Sequence, residues 1–254
     1  MKNISAFVLL IGLLVPRESS ASAVLERVNS EYFSIASSLV ATTPYTFAVW
    51  VKANDETTDH TLLGIGKSTE IYNFAILDFN GAAGGDYCRV RSRGPSPAGP
   101  VDITDGNYTA NTWHLCVGVW ASTTSRKAQL DSGDPTQSTS SSDPIGMNKT
   151  TLGGSPTSTL GAYCDCKVAH ATIWNVALTD NEIDQLAAGA NPQDIQVANI
   201  VDYWSLASDA NGLNGNNWTV NSTSGTITYD ADNPSVSPPA GGGASTILFR
   251  RRAQ

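Results

Sequence analysis

The nine residues YTFAVWVKA (45–53) put apolar side chains on both faces of one short segment. Phe47, Val49 and Val51 alternate with Ala48 and Trp50. In a strand, successive side chains point to opposite faces, so this segment has no side it can leave in water. NTWHLCVGVWAS (111–122) has the same character. A chain with such strands needs a cover on each side of a sheet, which places them in the interior of a sandwich. Further short runs of strand character are TLLGIGK (61–67), NFAILDFNG (73–81), CRVRSRG (88–94), RKAQLDSGDP (126–135), TTLGGSP (150–156) and NIVDYWSLAS (199–208). Ser, Thr, Asn, Gly and Pro separate them, as turns require. About ten strands are expected, without the strand–helix alternation of a parallel sheet.

One segment changes period. In CDCKVAHATIWNVALTDNEIDQLAAG (164–189) the first part alternates as a strand to Trp174. TDNEIDQLAAG then reads as a short helix near residues 179–188. Thr179 or Asp180 caps it, Glu182 sits in its first turn, Ile183, Leu186 and Ala187 form its apolar face, and Gly189 ends it. The fold class is therefore all-β, a two-sheet antiparallel jelly-roll sandwich with one short helix.

The ends read differently from the middle. Residues 1–23 have the form of an export signal: Met1 and Lys2, an apolar run from Ile4 to Val15, Pro16, and small residues at Ala21–Ala23, with cleavage expected after Ala23. That makes the protein secreted or displayed on the outer surface. Residues 24–232 form the domain, and 233–254 read as a flexible Pro/Gly-rich linker with a basic tail, TILFRRRAQ. After residue 23 no stretch is long and apolar enough to span a bilayer as a helix. The net charge of −8 argues against nucleic acid as a partner.

The four cysteines, Cys88, Cys116, Cys164 and Cys166, are disulfide candidates in an exported chain. In an extended strand the side chains of Cys164 and Cys166 would point the same way from positions roughly 7 Å apart. One of the two is therefore expected to pair with Cys88 or Cys116. The spacing of CDC is not that of a zinc site.

The order of segments resembles the concanavalin A-like jelly roll of the laminin G-like and pentraxin-related domains. VNSEYFSI, YTFAVWVKA, NTWHLCVGVWAS, KVAHATIWNVALTDNEIDQLAAG and IVDYWSLASDANGLNGNNWTV carry the likeness, over residues 24 to 230. The resemblance implies that the helix after the N-x-A-L strand covers an end of the sandwich. Asn175 would shape the bend and Leu178 would plug that end. It also brings calcium, that family's commonest cofactor, for which Asp55, Glu56 and Asp59, Asp102 and Asp105, or Asp131 and Asp134 are the acidic groupings. None reproduces a known ligand set.

Enzymes of the laminarinase type on this fold carry E-x-D-x-x-E on a strand. Here EIDQLA supplies Glu182 and Asp184, has Ala187 in the third place, and reads as helix, so no catalytic residue is assigned. His60, His114 and His170 lie in no nucleophile-elbow context and read as core or rim residues. The chain is thus expected to be a non-enzymatic recognition or adhesion module for glycan or a cell-surface ligand. The alternative is a self-assembling structural subunit of a cell-surface or virion assembly, with a glycoside hydrolase the third and least favoured reading. The ligand-binding candidates are Tyr72, Asp78, Arg91 and Arg93, combining an aromatic platform with charged hydrogen-bonding groups. The plainer reading is a solvated row of Arg89, Arg91 and Arg93 paired with Asp78 and Asp86. Four N-x-T sequences, at Asn107, Asn148, Asn217 and Asn221, matter only in a glycosylating host.

Overall fold

The computed structural model describes residues 21–81, 85–95, 101–159 and 161–240. The expected signal up to residue 20 and the basic tail from residue 241 lie outside them. Among the described residues, fifteen strands form two antiparallel sheets. The first holds β10 (Thr136–Ser138), β9 (Ser125–Leu130), β8 (His114–Ser122), β3 (Tyr45–Ala53), β12 (Cys166–Trp174), β1 (Ser22–Leu25) and β15 (Thr228–Asp230) in that order, with β13 (Ile200–Trp204) also paired to β12. The second runs β14 (Thr219–Asn221), β2 (Tyr32–Ile35), β11 (Lys149–Leu152), β4 (His60–Gly66), β5 (Phe74–Asn80), β6 (Tyr87–Arg93) and β7 (Val101–Asn107). The jelly-roll reading holds. The strands outnumber the ten expected because several have only three or four residues and carry little periodic signal.

The two faces of β3 are covered by different things. Phe47, Val49 and Val51 point between the sheets, into a core shared with Phe33, Leu63, Leu77, Phe79, Trp120 and Trp204. Ala48 and Trp50 point the other way, into a second cluster with Leu115, Val117, Val119 and Ala169. Trp50 and Leu115 therefore do not line the inter-sheet core, although Ile173 does.

The lid on this outer face is α1 (Asp180–Ala187), which buries Ile183 and Leu186 there. Burying two such side chains stabilises the packing by about 3–6 kcal/mol. The helix starts where the sequence places it. Thr179 Oγ1 accepts from Glu182 N–H, and the Glu182 carboxylate accepts from Thr179 N–H at 2.8 Å, a reciprocal cap. Lys127 pairs with Asp180 at 2.6 Å, and Gln129 Nε2 donates to Asp184 at 3.0 Å, which fastens the helix over β9. The expectation that it covers an end of the sandwich is corrected: it lies on the outer face of the eight-stranded sheet, because Trp50 and the alternate residues of β8 leave that face apolar.

The chain after β15 adds a strap on the same side. The Asp232 carboxylate meets Lys52 at 2.9 Å, Trp113 Nε1 at 2.9 Å and Lys167 at 3.0 Å. The hydrogen bond from Lys52, then that from Trp113, holds this carboxyl well below the ordinary aspartate range. Val236 packs on the outer cluster, Ser237 N–H donates to Gly189 O at 2.8 Å, and Ala240 N–H donates to the Asp194 carboxylate at 2.9 Å. Residues 233–240 are thus fastened to the domain rather than opening a free linker at 233. At the other end, Ser22 and Ala23 are fully buried in β1, paired with β15, and Ala23 also lies opposite Val168 of β12. Cleavage after Ala23 would remove half of β1.

The cysteine expectation is also corrected. Cys88 of β6 bonds Cys116 of β8 across the core, with Cα atoms 5.8 Å apart, and Cys164 bonds Cys166 with Cα atoms 5.4 Å apart. Cys164 precedes β12 and its N–H is turned to Gly153 O at 2.8 Å, so the extended spacing assumed from the sequence does not apply.

Buried polar residues hold the loops. Asp202, fully buried, accepts from the N–H groups of Tyr203, Asn214 and Asn216 and from Asn216 Nδ2, all at 2.8–2.9 Å. A Cβ on Gly212 would lie 2.4 Å from Asp202 Oδ2, so only glycine fits there. His170 sits at a break in the β12–β3 register with φ 50°. Its Nδ1 shares a 2.7 Å hydrogen bond with the Tyr203 hydroxyl, and its buried Nε2 has no partner among the described residues.

Burial pushes the His170 pKa from 6.5 down to about 4. The fold therefore prefers the neutral ring, while the unfolded chain takes up a proton below pH 6.5. The His170 contribution to stability is intact above pH 6.5 and is lost progressively as the pH falls toward 4, by about 3 kcal/mol in all. Urea titrations of wild type and His170→Asn at several pH values check this, asparagine being tolerant of φ > 0. The difference between the two stability curves should slope across that window; parallel curves would contradict it.

Candidate functional site

The outer face of the seven-stranded sheet carries the arginine row. Alternation on β6 sends Cys88 and Val90 into the core and Arg89, Arg91 and Arg93 outward. On β5 it sends Phe74, Ile76 and Asp78 to the same outer face, opposite Arg93, Arg91 and Arg89 respectively. The two strands thus place a floor of two apolar residues and one carboxylate beside three cations.

The three arginines are not equivalent. Arg89 is 8% exposed, and its Nε and Nη2 donate to the two oxygens of Asp78 at 2.7 and 3.0 Å. Its Nη2 also donates to Asp59 Oδ2 at 3.1 Å. Burial works against the charge of this guanidinium, and the Asp78 and Asp59 carboxylates more than offset it, holding its pKa above the ordinary arginine value. Arg91 is half-buried, with Nε 2.9 Å from Asp78 Oδ2 and its guanidinium 5.6 Å from the Phe74 ring centre. Arg93 has no ion-pair partner among the described residues. Its guanidinium lies over the Tyr72 ring at 3.3 Å from the centre, and its buried Nε has no hydrogen-bond partner there.

A groove of about 340 Å³ opens above this floor. Arg91, Arg93, Phe74 and Ile76 line it from the sheet, Ile71 and Tyr72 from the loop before β5, and Ser155, Thr157 and Thr159 from the chain after β11. That chain comes close because β4 offers glycines: a Cβ on Gly66 would lie 2.9 Å from Pro156 Cγ. Ile71 and Tyr72, 58% and 43% exposed, are the apolar surface the groove presents to solvent.

Of the four residues proposed from the sequence, Tyr72, Arg91 and Arg93 line this groove. Asp78 lies beneath it, 1% exposed, with both oxygens engaged by arginine. The alternative of a solvated row paired with Asp78 and Asp86 fails at Arg89, which is buried and reaches Asp59. Phe74, Ile76 and the Ser155–Thr159 wall were not foreseen. Outward apolar residues on β5 were the available signal, and the wall has none, since its placement follows from packing on Gly66.

In the other acidic groupings Asp55, Glu56, Asp59, Asp105 and Asp131 have partners. Asp55 Oδ1 accepts from the N–H groups of Thr57 and Thr58, Glu56 accepts from Ala110 N–H, and Asp105 bridges Leu130 N–H and the Thr136 hydroxyl. Asp131 bonds His114 Nδ1 at 2.7 Å, while His114 Nε2 accepts from Thr109 N–H, which leaves that ring a rim fastener. His60, fully buried, accepts at Nδ1 from Arg27 and from Asp165 N–H, so Nε2 carries the proton toward Asp55 O. Among the described residues no three His, Cys, Asp or Glu side chains gather to hold a metal ion. No helix among them is long and apolar enough to cross a membrane.

Residues 27–184, more than half of the chain, match the profile of the concanavalin A-like lectin/glucanases superfamily. No curated protein matches the sequence. Among solved structures, a candidate carbohydrate-binding protein from Bacteroides ovatus is similar over 87% of this chain, with TM-score 0.59 and 16% identity. This chain spans 62% of that protein's length. A heptameric SAP-like pentraxin from Limulus polyphemus is similar over 84% of this chain and 96% of its own, with TM-score 0.56 and 9% identity. The CBM40 of the Ruminococcus gnavus IT-sialidase, solved with α2,3-sialyllactose, is similar over 58% of this chain and 84% of its own, with TM-score 0.50 and 14% identity. At such identities the likeness is one of fold.

Proposed function

The chain belongs to the concanavalin A-like lectin/glucanases superfamily, and on that premise we propose that it is a non-enzymatic recognition module that binds glycan in the groove over the seven-stranded sheet. The observation that carries this is the groove itself: the exposed Ile71 and Tyr72 beside Arg91, which is paired with Asp78, and Arg93, which has no ion pair among the described residues, around a volume of about 340 Å³. A sugar ring needs an apolar surface for its C–H face and fixed polar groups for its hydroxyls, and Tyr72 with Arg91, Arg93 and the Thr157 wall supplies both. The non-catalytic part rests on where the carboxylates are. Glu182 caps α1, Asp184 accepts from Gln129 and Gly133, and Asp78 is locked by arginine.

A glycan array probed with the folded domain tests the reading. Wild type should give binders, and Tyr72→Ala should weaken the best of them at least tenfold with its melting temperature unchanged. An array with no binder would overturn it.

Export is part of the same proposal, supported by the paired cysteines and the N-terminal pattern. Because Ser22 is buried and its hydroxyl donates to Asp232 O at 2.6 Å, the mature chain is expected to keep Ser22. Intact-mass measurement of the native protein checks this; a chain beginning at Val24 would contradict it.

A further inference from the structure

The cations of the groove are graded along β6. Arg89 is saturated by two carboxylates, Arg91 shares one oxygen of Asp78, and Arg93 has no carboxylate at all among the described residues. The unbalanced positive charge therefore sits at one end, where Arg93 rests on the ring of Tyr72. This end is preorganised. Stacking fixes the plane of the guanidinium, and its buried Nε has no hydrogen-bond partner among the described residues. A planar fork of N–H donors held in one orientation matches an oxyanion with two or more oxygens better than it matches a lone hydroxyl. The contrast with the whole molecule, which carries a net charge of −8, sharpens the point: an anion attracted here is drawn to a local feature and not to the protein at large.

We propose that the groove selects an acidic glycan, whose carboxylate or sulfate docks on Arg93 beside Tyr72 while the rest of the sugar lies along the exposed Ile71. This rests on the glycan-recognition reading above. It assigns the Arg93 end as the subsite that decides specificity and Arg91 as a secondary contact. Arg89 takes no part, since it is 8% exposed and its Nε and Nη2 are held by Asp78 and Asp59.

The test is isothermal titration with three matched oligosaccharides: a neutral one, the same chain carrying a sugar carboxylate, and the same chain carrying a sulfate ester. Wild type should bind at least one acidic form tenfold or more tighter than the neutral form, and the preference should shrink as sodium chloride rises from about 50 to about 500 mM. Arg93→Ala should abolish the preference, and Arg93→Lys should restore only part of it, because the charge returns without the planar fork. Arg93 is partly exposed, and equal melting temperatures confirm that each variant is folded. Which acidic form binds separates carboxylate from sulfate. Equal binding of neutral and acidic forms, or a preference that survives Arg93→Ala, would overturn this inference and leave glycan recognition standing. Binding of none of the three, together with an empty array, would remove both.

Discussion

Asp78→Ala is expected to lower the unfolding free energy by about 3–5 kcal/mol, the usual cost of removing one partner from a buried ion pair. Asp78 is 1% exposed and is the acceptor for Arg89 Nε at 2.7 Å and Nη2 at 3.0 Å. Removing it leaves the Arg89 guanidinium, itself 8% exposed, with Asp59 as its remaining carboxylate. Water must then enter the sheet face, or the arginine must leave it. Urea unfolding of the variant measures the loss. Arg93→Ala, at the other end of the same strand, should change stability by less than about 1 kcal/mol, because it breaks no ion pair among the described residues. The pair of variants separates the residue that builds the groove from the residue proposed to meet the ligand. A change below about 1 kcal/mol for Asp78→Ala would mean that the row is solvated after all.

Removing the inter-sheet disulfide as Cys88→Ala/Cys116→Ala should cost about 4 kcal/mol. The bond closes a loop with a sequence separation of 28, and the chain entropy released by opening such a loop has this magnitude, within a measured range of about 2–5 kcal/mol. It also ties β6, which carries the arginine row, to β8 of the opposite sheet. Thermal unfolding of the double variant, without reductant, is the measurement. A melting temperature equal to wild type would show that sheet packing alone holds β6 in place. The bond between Cys164 and Cys166 closes a much shorter loop and should contribute less.

Much of this molecule is legible in its sequence, for reasons of period and chemistry. Alternation in 45–53 and 114–122 required a sheet with no wet face. The change of period at Thr179 gave the helix, down to the Glu182 cap and the buried Ile183 and Leu186. The grouping of Arg91 and Arg93 was within reach, because alternation on one strand puts like positions on one face, whereas Tyr72 joins them from the loop before β5. These are local properties: a side chain's direction follows from its own backbone.

What the sequence left open depends on what lies opposite. It could not say that Trp50 faces α1 and the C-terminal strap while Phe47 faces the other sheet, since both are simply apolar. It paired the cysteines wrongly because the bend before Cys166 comes from contacts with a distant turn at Gly153. It could not rank the arginines, since Arg89, Arg91 and Arg93 are chemically identical until Asp78 and Asp59 choose among them. Strand direction is written residue by residue, whereas burial, pairing and free charge are properties of neighbours that the fold brings together.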